Sequence, residues 1–239
     1  MESTVKANIE KIRGVIAAAA ARAGRKASEV RLMAVTKTVD DERIMEAIGA
    51  GVDIIGENYV QEAKRKIEKM GRSIEWHMIG YLQSNKAKYA VKLFDMIHSV
   101  DRVDLAHEVN KRAAAQGVVM KILIEINVGG EKAKSGVPCD GALPLIKDIS
   151  SLDNLSVQGL MTMAPWFDDP EQARPYFASL RKLKDMINDE KIGRVEMREL
   201  SMGMSGDYEV AVEEGATIVR IGRSIFGERP ASGREGIAR

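Results

Sequence analysis

Eight short runs of apolar and β-branched residues recur along this chain, each separated from the next by a stretch of helical character. The runs cover residues 30–36, 52–58, 74–80, 95–100, 120–127, 155–163, 194–202 and 217–222. Between the first two, Asp40, Asp41 and Glu42 open a helix that carries Ile44, Ala47 and Ile48 on one face and ends at Gly51. Val60, Ala63, Ile67 and Met70 form a second stripe closed by Gly71, and Leu105, Val109 and Ala113 a third that runs to Gly117. A long late helix is marked by Ala173, Phe177, Leu180, Leu183 and Ile187. Strands alternating with helices imply parallel pairing through crossovers. Eight of them, evenly spaced and with no Pro/Gly/Ser-rich linker, predict one closed (β/α)₈ TIM barrel rather than an open doubly wound sheet. An extra N-terminal helix precedes it, because Val5, Ile9, Ile12 and Ile16 repeat at helical spacing up to about Gly24. The barrel is assigned to residues 1–228. Residues 229–239 lack apolar periodicity and are read as a loose tail.

Composition removes several function classes. Lys plus Arg number 36 and Asp plus Glu 35, with no run of like charge, so neither nucleic acid nor an anionic membrane is an expected partner. The alanine-rich N-terminal stretch carries charges throughout and does not read as a signal peptide. No segment reaches the roughly 18 uninterrupted apolar residues of a membrane span. Cys139 is the one cysteine, which excludes an intrachain disulfide and favours a reducing, cytoplasmic setting. Its surroundings, "GVPCDG", read as a turn. The three histidines, His77, His98 and His107, lack metal-ligand spacing, so zinc is not expected. His77 reads as a rim or core residue rather than a general base, and Ser99 with Asp101 as a helix N-cap.

Barrels of this class place chemistry at the C-terminal ends of their strands. Here those ends carry Lys37, Asn58, the segment 77–80, Asn127, Thr162, Ser201, Arg220 and Gly222. Lys37 is the one lysine among them. Two readings stay open for it: a solvated residue where the chain reaches the surface, or a desolvated amine made nucleophilic. The stretch "VRIGRSIFG" (219–227) constrains more. Gly222 allows close passage of the backbone, and the amides of Gly222, Arg223 and Ser224 open the closing helix, a place where such barrels bind phosphate. "LSMGMSGDYE" (200–209) supplies a partner loop with Gly203, Gly206 and the hydroxyls of Ser201 and Ser205. Either loop alone is equally a turn and a cap; together they predict a phosphate site. Lys132 and Lys134 in "GGEKAKSG" read as solvated, and the 13 methionines as core.

Taken in order, the lysine ending the first strand, "IGEN", "WHMIG" with "LQSNK", "HSVD", "KSG", "GLMTM", "LSMGMSGDYE" and "VRIGRSIFG" closely resemble the pyridoxal phosphate homeostasis protein family over residues 5–228. That family is related to the N-terminal barrel of alanine racemase, a fold-type III barrel. The resemblance implies that Lys37 holds pyridoxal 5′-phosphate (PLP) as a Schiff base. It implies too that Arg220 faces the pyridine nitrogen and that Ser205 with the amides of Gly222 and Arg223 holds the phosphate. Ser201 and Ser224 would be second contacts, and Asn58 would line the pocket. Tyr81 and the bulky Arg223 depart from the family's pattern, though a backbone contact from Arg223 would leave the site intact. Racemases of this fold add a β-rich domain bearing a catalytic tyrosine. The chain ends directly after the barrel, so robust turnover is not expected. The implied role is PLP homeostasis by a monomer, with PLP-dependent apoenzymes as partners. The alternatives are a PLP-dependent racemase or lyase of narrow specificity, and an aldolase-like barrel that uses Lys37 without PLP.

Overall fold

In the computed structural model, which describes residues 4–131 and 133–228, all eight predicted strands form and close in chain order into one parallel barrel. They are β1 (Arg31–Val35), β2 (Ile54–Glu57), β3 (Glu75–Met78), β4 (Met96–Val100), β5 (Met120–Glu125), β6 (Leu155–Met161), β7 (Val195–Ser201) and β8 (Ile218–Ile221). Closure is made by β1 against β8, with Leu32 opposite Val219 and Met33 opposite Arg220. The helices are α1 (Val5–Arg22), α2 (Asp41–Gly49), α3 (Val60–Met70), α4 (Ala87–Leu93), α5 (Val103–Ala114), α6 (Cys139–Ile149), α7 (Arg174–Asp189), α8 (Tyr208–Glu213) and α9 (Arg223–Phe226). The extra helix α1 is capped by Thr4, whose hydroxyl accepts from the Ala7 amide at 3.2 Å, and packs across α2, α8 and α9 at the closing seam. Asp40 caps α2 as its sequence suggested, accepting from the Arg43 amide at 3.0 Å. Lys132 and the proposed tail from residue 229 lie outside the described residues.

Two local expectations need correction. Cys139 is not in a turn; it is the first residue of α6, with Pro138 at the cap. Gly141 and Pro144 disguise this helix, yet Ala142, Leu145, Ile146 and Ile149 form its buried stripe at positions i, i+3, i+4 and i+7. Tertiary burial of that stripe outweighs the local breakers. Nor do Ser99 and Asp101 cap a helix. Ser99 is buried within β4, and Asp101 binds Arg102 at 2.7 Å and the Gly136 amide at 3.3 Å.

The core divides into two compartments. Leu32 and Ala34 of β1, Ile55 of β2, Trp76 and Met78 of β3, and Val219 and Ile221 of β8 face the helices in one large cluster. Met33, Ile54 and Ile218, joined by Ile79, fill the barrel interior, as do Met96, Leu123 and Met161. Strand alternation therefore sends Arg31, Met33 and Val35 inward, and Lys37 is next in that series. The same period carries β2 inward at Ile54, Gly56 and Asn58, and β8 at Ile218, Arg220 and Gly222. Six of the predicted site residues are thus aimed by two devices: strand period for some, the turns at strand ends for the rest.

Candidate functional site

A cleft of about 670 Å³ opens at the C-terminal end of the barrel, a size suited to a small molecule. Lys37, Asn58, Ser205, Arg220, Gly222 and Arg223 all line it, and so does Ser224. Residues from four strand ends thus converge on one space, although they span 186 positions of sequence (37 to 223).

The two glycine loops are joined to each other. The Ser224 amide donates to Ser205 Oγ at 3.2 Å, and Ser224 Oγ donates to the Ser205 carbonyl at 3.5 Å. Gly203 turns the first loop at φ +91°, where an added Cβ would lie 2.6 Å from Ala211 Cβ. Asp207 holds the same loop by accepting from the Met204 amide at 2.6 Å. Arg223 is exposed, so its large side chain leaves the cradle open. Among the predicted phosphate contacts, Ser201 is placed elsewhere. It is fully buried below the cleft, and its hydroxyl is engaged by Arg220 and His98.

Arg220 is only 4% exposed and is held from behind. Its Nη1 donates to Ser201 Oγ at 2.8 Å and its Nη2 to the Thr162 carbonyl at 2.7 Å. Two of its five N–H groups are used this way, and the residue also lines the cleft. Burial pulls this guanidinium down to about 10, with Asp207 and Glu125 opposing the shift. Asn58 presents a buried Oδ1 without a protein partner, an acceptor that a ligand donor would satisfy. Gly80 lets the backbone after β3 pack against Asn58, since a Cβ there would meet the Asn58 carbonyl oxygen at 2.5 Å. A wall contributed by Met163, Trp166 and Phe167, after β6, closes one side. In the sequence the one signal of that wall is the aromatic pair Trp166–Phe167 in "MAPWFDD".

Lys37 sits in a turn that is pinned on both sides. Thr36 Oγ1 donates to Glu57 Oε1 at 2.5 Å, and the Thr38 amide donates to Glu62 Oε1 at 2.8 Å. Lys66 of α3, fully buried, ties these together: its ammonium donates to the Thr36 carbonyl at 2.6 Å, to Glu57 at 2.6 Å and to Glu62 at 2.7 Å. Thr38 takes the left-handed conformation at φ +62°, the sharp bend that this tether imposes. Burial raises the Glu57 carboxyl, and the Lys66 ammonium and the Thr36 hydroxyl oppose that rise. Lys66 lies on the buried side of α3 beside Ala63 and Ile67, although the apolar stripe by itself does not include it.

The residues fit a phosphorylated, ring-bearing cofactor: a lysine on a fixed turn, an arginine buried behind the cleft, and a serine–glycine cradle. No group of three or more His, Cys, Asp or Glu side chains that could hold a metal ion occurs among the described residues.

The comparisons with known proteins agree with that fit. A family profile described as "Alanine racemase, N-terminal domain" matches residues 5–230. The chain is 47% identical over 209 residues to the pyridoxal phosphate homeostasis protein of Aquifex aeolicus, covering 87% of this chain and 91% of that one. With the protein of the same name from Escherichia coli K12 the identity is 39% over 236 residues, covering 94% and 97%. Among solved structures, PipY of Synechococcus elongatus PCC7942 with PLP bound superposes at TM-score 0.76 with 35% identity. That match covers 83% of this chain and 93% of PipY.

Proposed function

The chain belongs to the pyridoxal phosphate homeostasis protein family, built on the alanine racemase N-terminal barrel, and from that premise we propose that it binds PLP in this cleft. The observation that carries the reading is convergence: Lys37, Arg220 and the joined Ser205–Ser224 loops border one space. When bound, the cofactor supplies an aldehyde for an amine to capture and a pyridine ring that withdraws electrons. Lys37 is the residue for covalent attachment, held in place by the tethers at Thr36 and Thr38. The Ser205 hydroxyl and the Gly222–Ser224 turn hold the phosphate. Arg220 offers N–H donors to the ring nitrogen, and a donor-only cation leaves that nitrogen unprotonated. Asn58 supplies an acceptor at the cleft wall.

The role proposed is holding and releasing PLP, in cytoplasmic vitamin B6 homeostasis, without robust turnover. The cleft's lining supports holding over turnover. Besides Lys37, its described titratable side chains are two arginines, Glu228, and Asp207, which is engaged with the Met204 amide of its own loop; no histidine, tyrosine or cysteine is among the described lining residues. PLP-dependent apoenzymes would be the recipients, and one barrel of residues 1–228 the acting unit. No described helix is long and apolar enough to cross a membrane.

Borohydride reduction of the PLP-loaded protein followed by peptide mapping is expected to label Lys37. Label on another lysine, or none, refutes the assignment. Incubation with single L-amino acids and chiral chromatography tests turnover: sustained formation of D-amino acid or of a cleavage product moves the reading to racemase or lyase.

A further inference from the structure

The barrel interior is apolar in most of its volume, yet a row of polar side chains crosses it. Glu75 and His77 of β3, His98 of β4, Ser201 of β7 and Arg220 of β8 are linked in sequence. Glu75 Oε2 lies 3.0 Å from His77 Nε2, and His77 Nδ1 lies 2.9 Å from His98 Nε2. His98 Nδ1 lies 3.0 Å from Ser201 Oγ, which accepts from Arg220 at 2.8 Å. The two histidines and Ser201 are fully buried, whereas Glu75 is half-exposed at the opposite mouth of the barrel, 3.0 Å from Arg31. Neither histidine lines the cleft. A fully buried polar row inside a hydrophobic barrel costs desolvation and is kept only if each member is satisfied.

The ends of the row determine its polarity. Arg220 can only donate. Glu75 is held down to about 2, by the His77 hydrogen bond first and then by Arg31, so at neutral pH it can only accept. Ser201 therefore accepts from Arg220 and donates to His98 Nδ1. His98 is then the neutral Nε2–H tautomer and donates to His77 Nδ1. His77 is likewise neutral and donates its Nε2–H to Glu75. The reversed pattern would set the bare His77 Nε2 against the Glu75 carboxylate, two acceptors 3.0 Å apart. Burial holds both rings below the ordinary histidine range; Glu75 and Asp95 oppose this at His77, while His77, Arg220 and Arg31 add to it at His98. The charged groups facing the row are Arg31, Glu75, Asp95 and Arg220, with Glu125 and Asp207 beyond Arg220.

We propose that Ser201, His98 and His77 are positioning residues that fix the Arg220 guanidinium from behind. By this relay the carboxylate of Glu75, at the far mouth, sets the hydrogen-bond polarity under the ligand cleft. The coupling to a cofactor rests on the PLP reading above; the relay itself does not.

Two arms separate the two. In ligand-free protein, long-range ¹H–¹⁵N correlation of labelled histidines is expected to give His77 and His98 as Nε2–H tautomers between pH 6 and 8. Glu75→Ala should mix those tautomers, whereas Ser201→Ala and Ser201→Thr should both retain them, because the Glu75 carboxylate orients the two rings. In PLP-loaded protein, Ser201→Ala is expected to shift the visible band of the bound cofactor and weaken PLP retention about tenfold, the scale of one hydrogen bond to a charged group. Ser201→Thr should restore both, and Glu75→Ala should move the band in the same direction as Ser201→Ala. Unchanged tautomers in Glu75→Ala, or Nδ1–H histidines in the unsubstituted protein, overturn the relay. Altered tautomers with an unmoved cofactor band overturn its coupling to the cleft. A protein that binds no PLP refutes the site reading and leaves the tautomer arm to decide the relay.

Discussion

Replacing Lys66 by Met is expected to be among the most damaging single changes in this protein. The ammonium makes three short hydrogen bonds, all from a fully buried position. Methionine matches the length of the stem but leaves the Glu57 carboxylate, itself fully buried, without its counter-charge. Removing one partner of a buried ion pair costs about 3–5 kcal/mol, most of it the isolated charge left behind. For a chain of this size each kcal/mol lowers the melting temperature by about 2–4 °C, so a fall of about 6–20 °C is expected.

The loss should also depend on pH, with a sign that follows from Glu57. Burial already raises this carboxyl in the folded protein, and Lys66 is the main group opposing the rise. Without Lys66, folded Glu57 retains a proton that the unfolded chain releases at ordinary carboxyl pH. Folding then becomes less favourable as pH climbs above that range, and the variant is weaker at pH 8 than at pH 5.5. Urea unfolding at both values, followed by circular dichroism, measures this. Glu57→Gln in the Lys66→Met background should recover stability, because it removes the stranded charge. The reasoning fails if Lys66→Met costs under about 1 kcal/mol, if the loss is equal at the two pH values, or if the double variant is no better than the single.

Three further outcomes are expected. If Ser205 holds the phosphate as proposed, Ser205→Ala should weaken binding of PLP by about tenfold and of unphosphorylated pyridoxal hardly at all; equilibrium dialysis with both ligands reads the difference. Gly203→Ala adds a Cβ at φ +91° and 2.6 Å from Ala211 Cβ, so it should destabilise by about 1–3 kcal/mol in the same urea assay. His77 and His98 are both held below the ordinary histidine range, so stability should fall as pH drops below about 6.5, by about 1.4 kcal/mol per pH unit for each ring. Glu125, raised to about 7 by burial and next by Asp101, works in the opposite direction: the folded protein keeps its proton above the unfolded carboxyl range. His98→Asn should therefore flatten the acid limb of the urea midpoint between pH 5 and 7, and Glu125→Gln should steepen it.

What the sequence made legible was what period and local chemistry control. Strands β1 to β8 were visible because each is a short apolar run bounded by turn signals, and α2 and α3 because their stripes have clear ends. The cradle was visible because the glycines and serines of 200–209 and 219–227 have few other reasons to cluster at strand ends. Helix α6 was hidden by Gly141 and Pro144, which say "turn" locally while the buried stripe of four apolar residues says otherwise. The polar interior was hidden for a different reason. Strand alternation specifies that Glu75 and His77 share a face, but not that the face is the barrel interior or that its partners are His98, 21 positions past His77, and Ser201, 103 past His98.

Those two hidden networks have a common logic. Lys37 is positioned by Lys66, Glu57 and Glu62 from the helix side of the barrel wall; Arg220 is positioned by Ser201 and Thr162 from within it. Each is a strand-end residue whose role the family resemblance implies and whose position distant polar partners fix. A loop lysine loses several rotatable bonds of freedom when it must meet one carbon of a ligand, and pinning Thr36 and Thr38 removes part of that cost before the ligand arrives. The same holds for a guanidinium required to face one ring nitrogen. Preorganisation of both groups by buried, satisfied polar contacts favours retention of a small ligand. A protein that must later release that ligand then needs the loosening to come from elsewhere. Trp166 and Arg223 stand on the exposed side of the cleft, outside both networks.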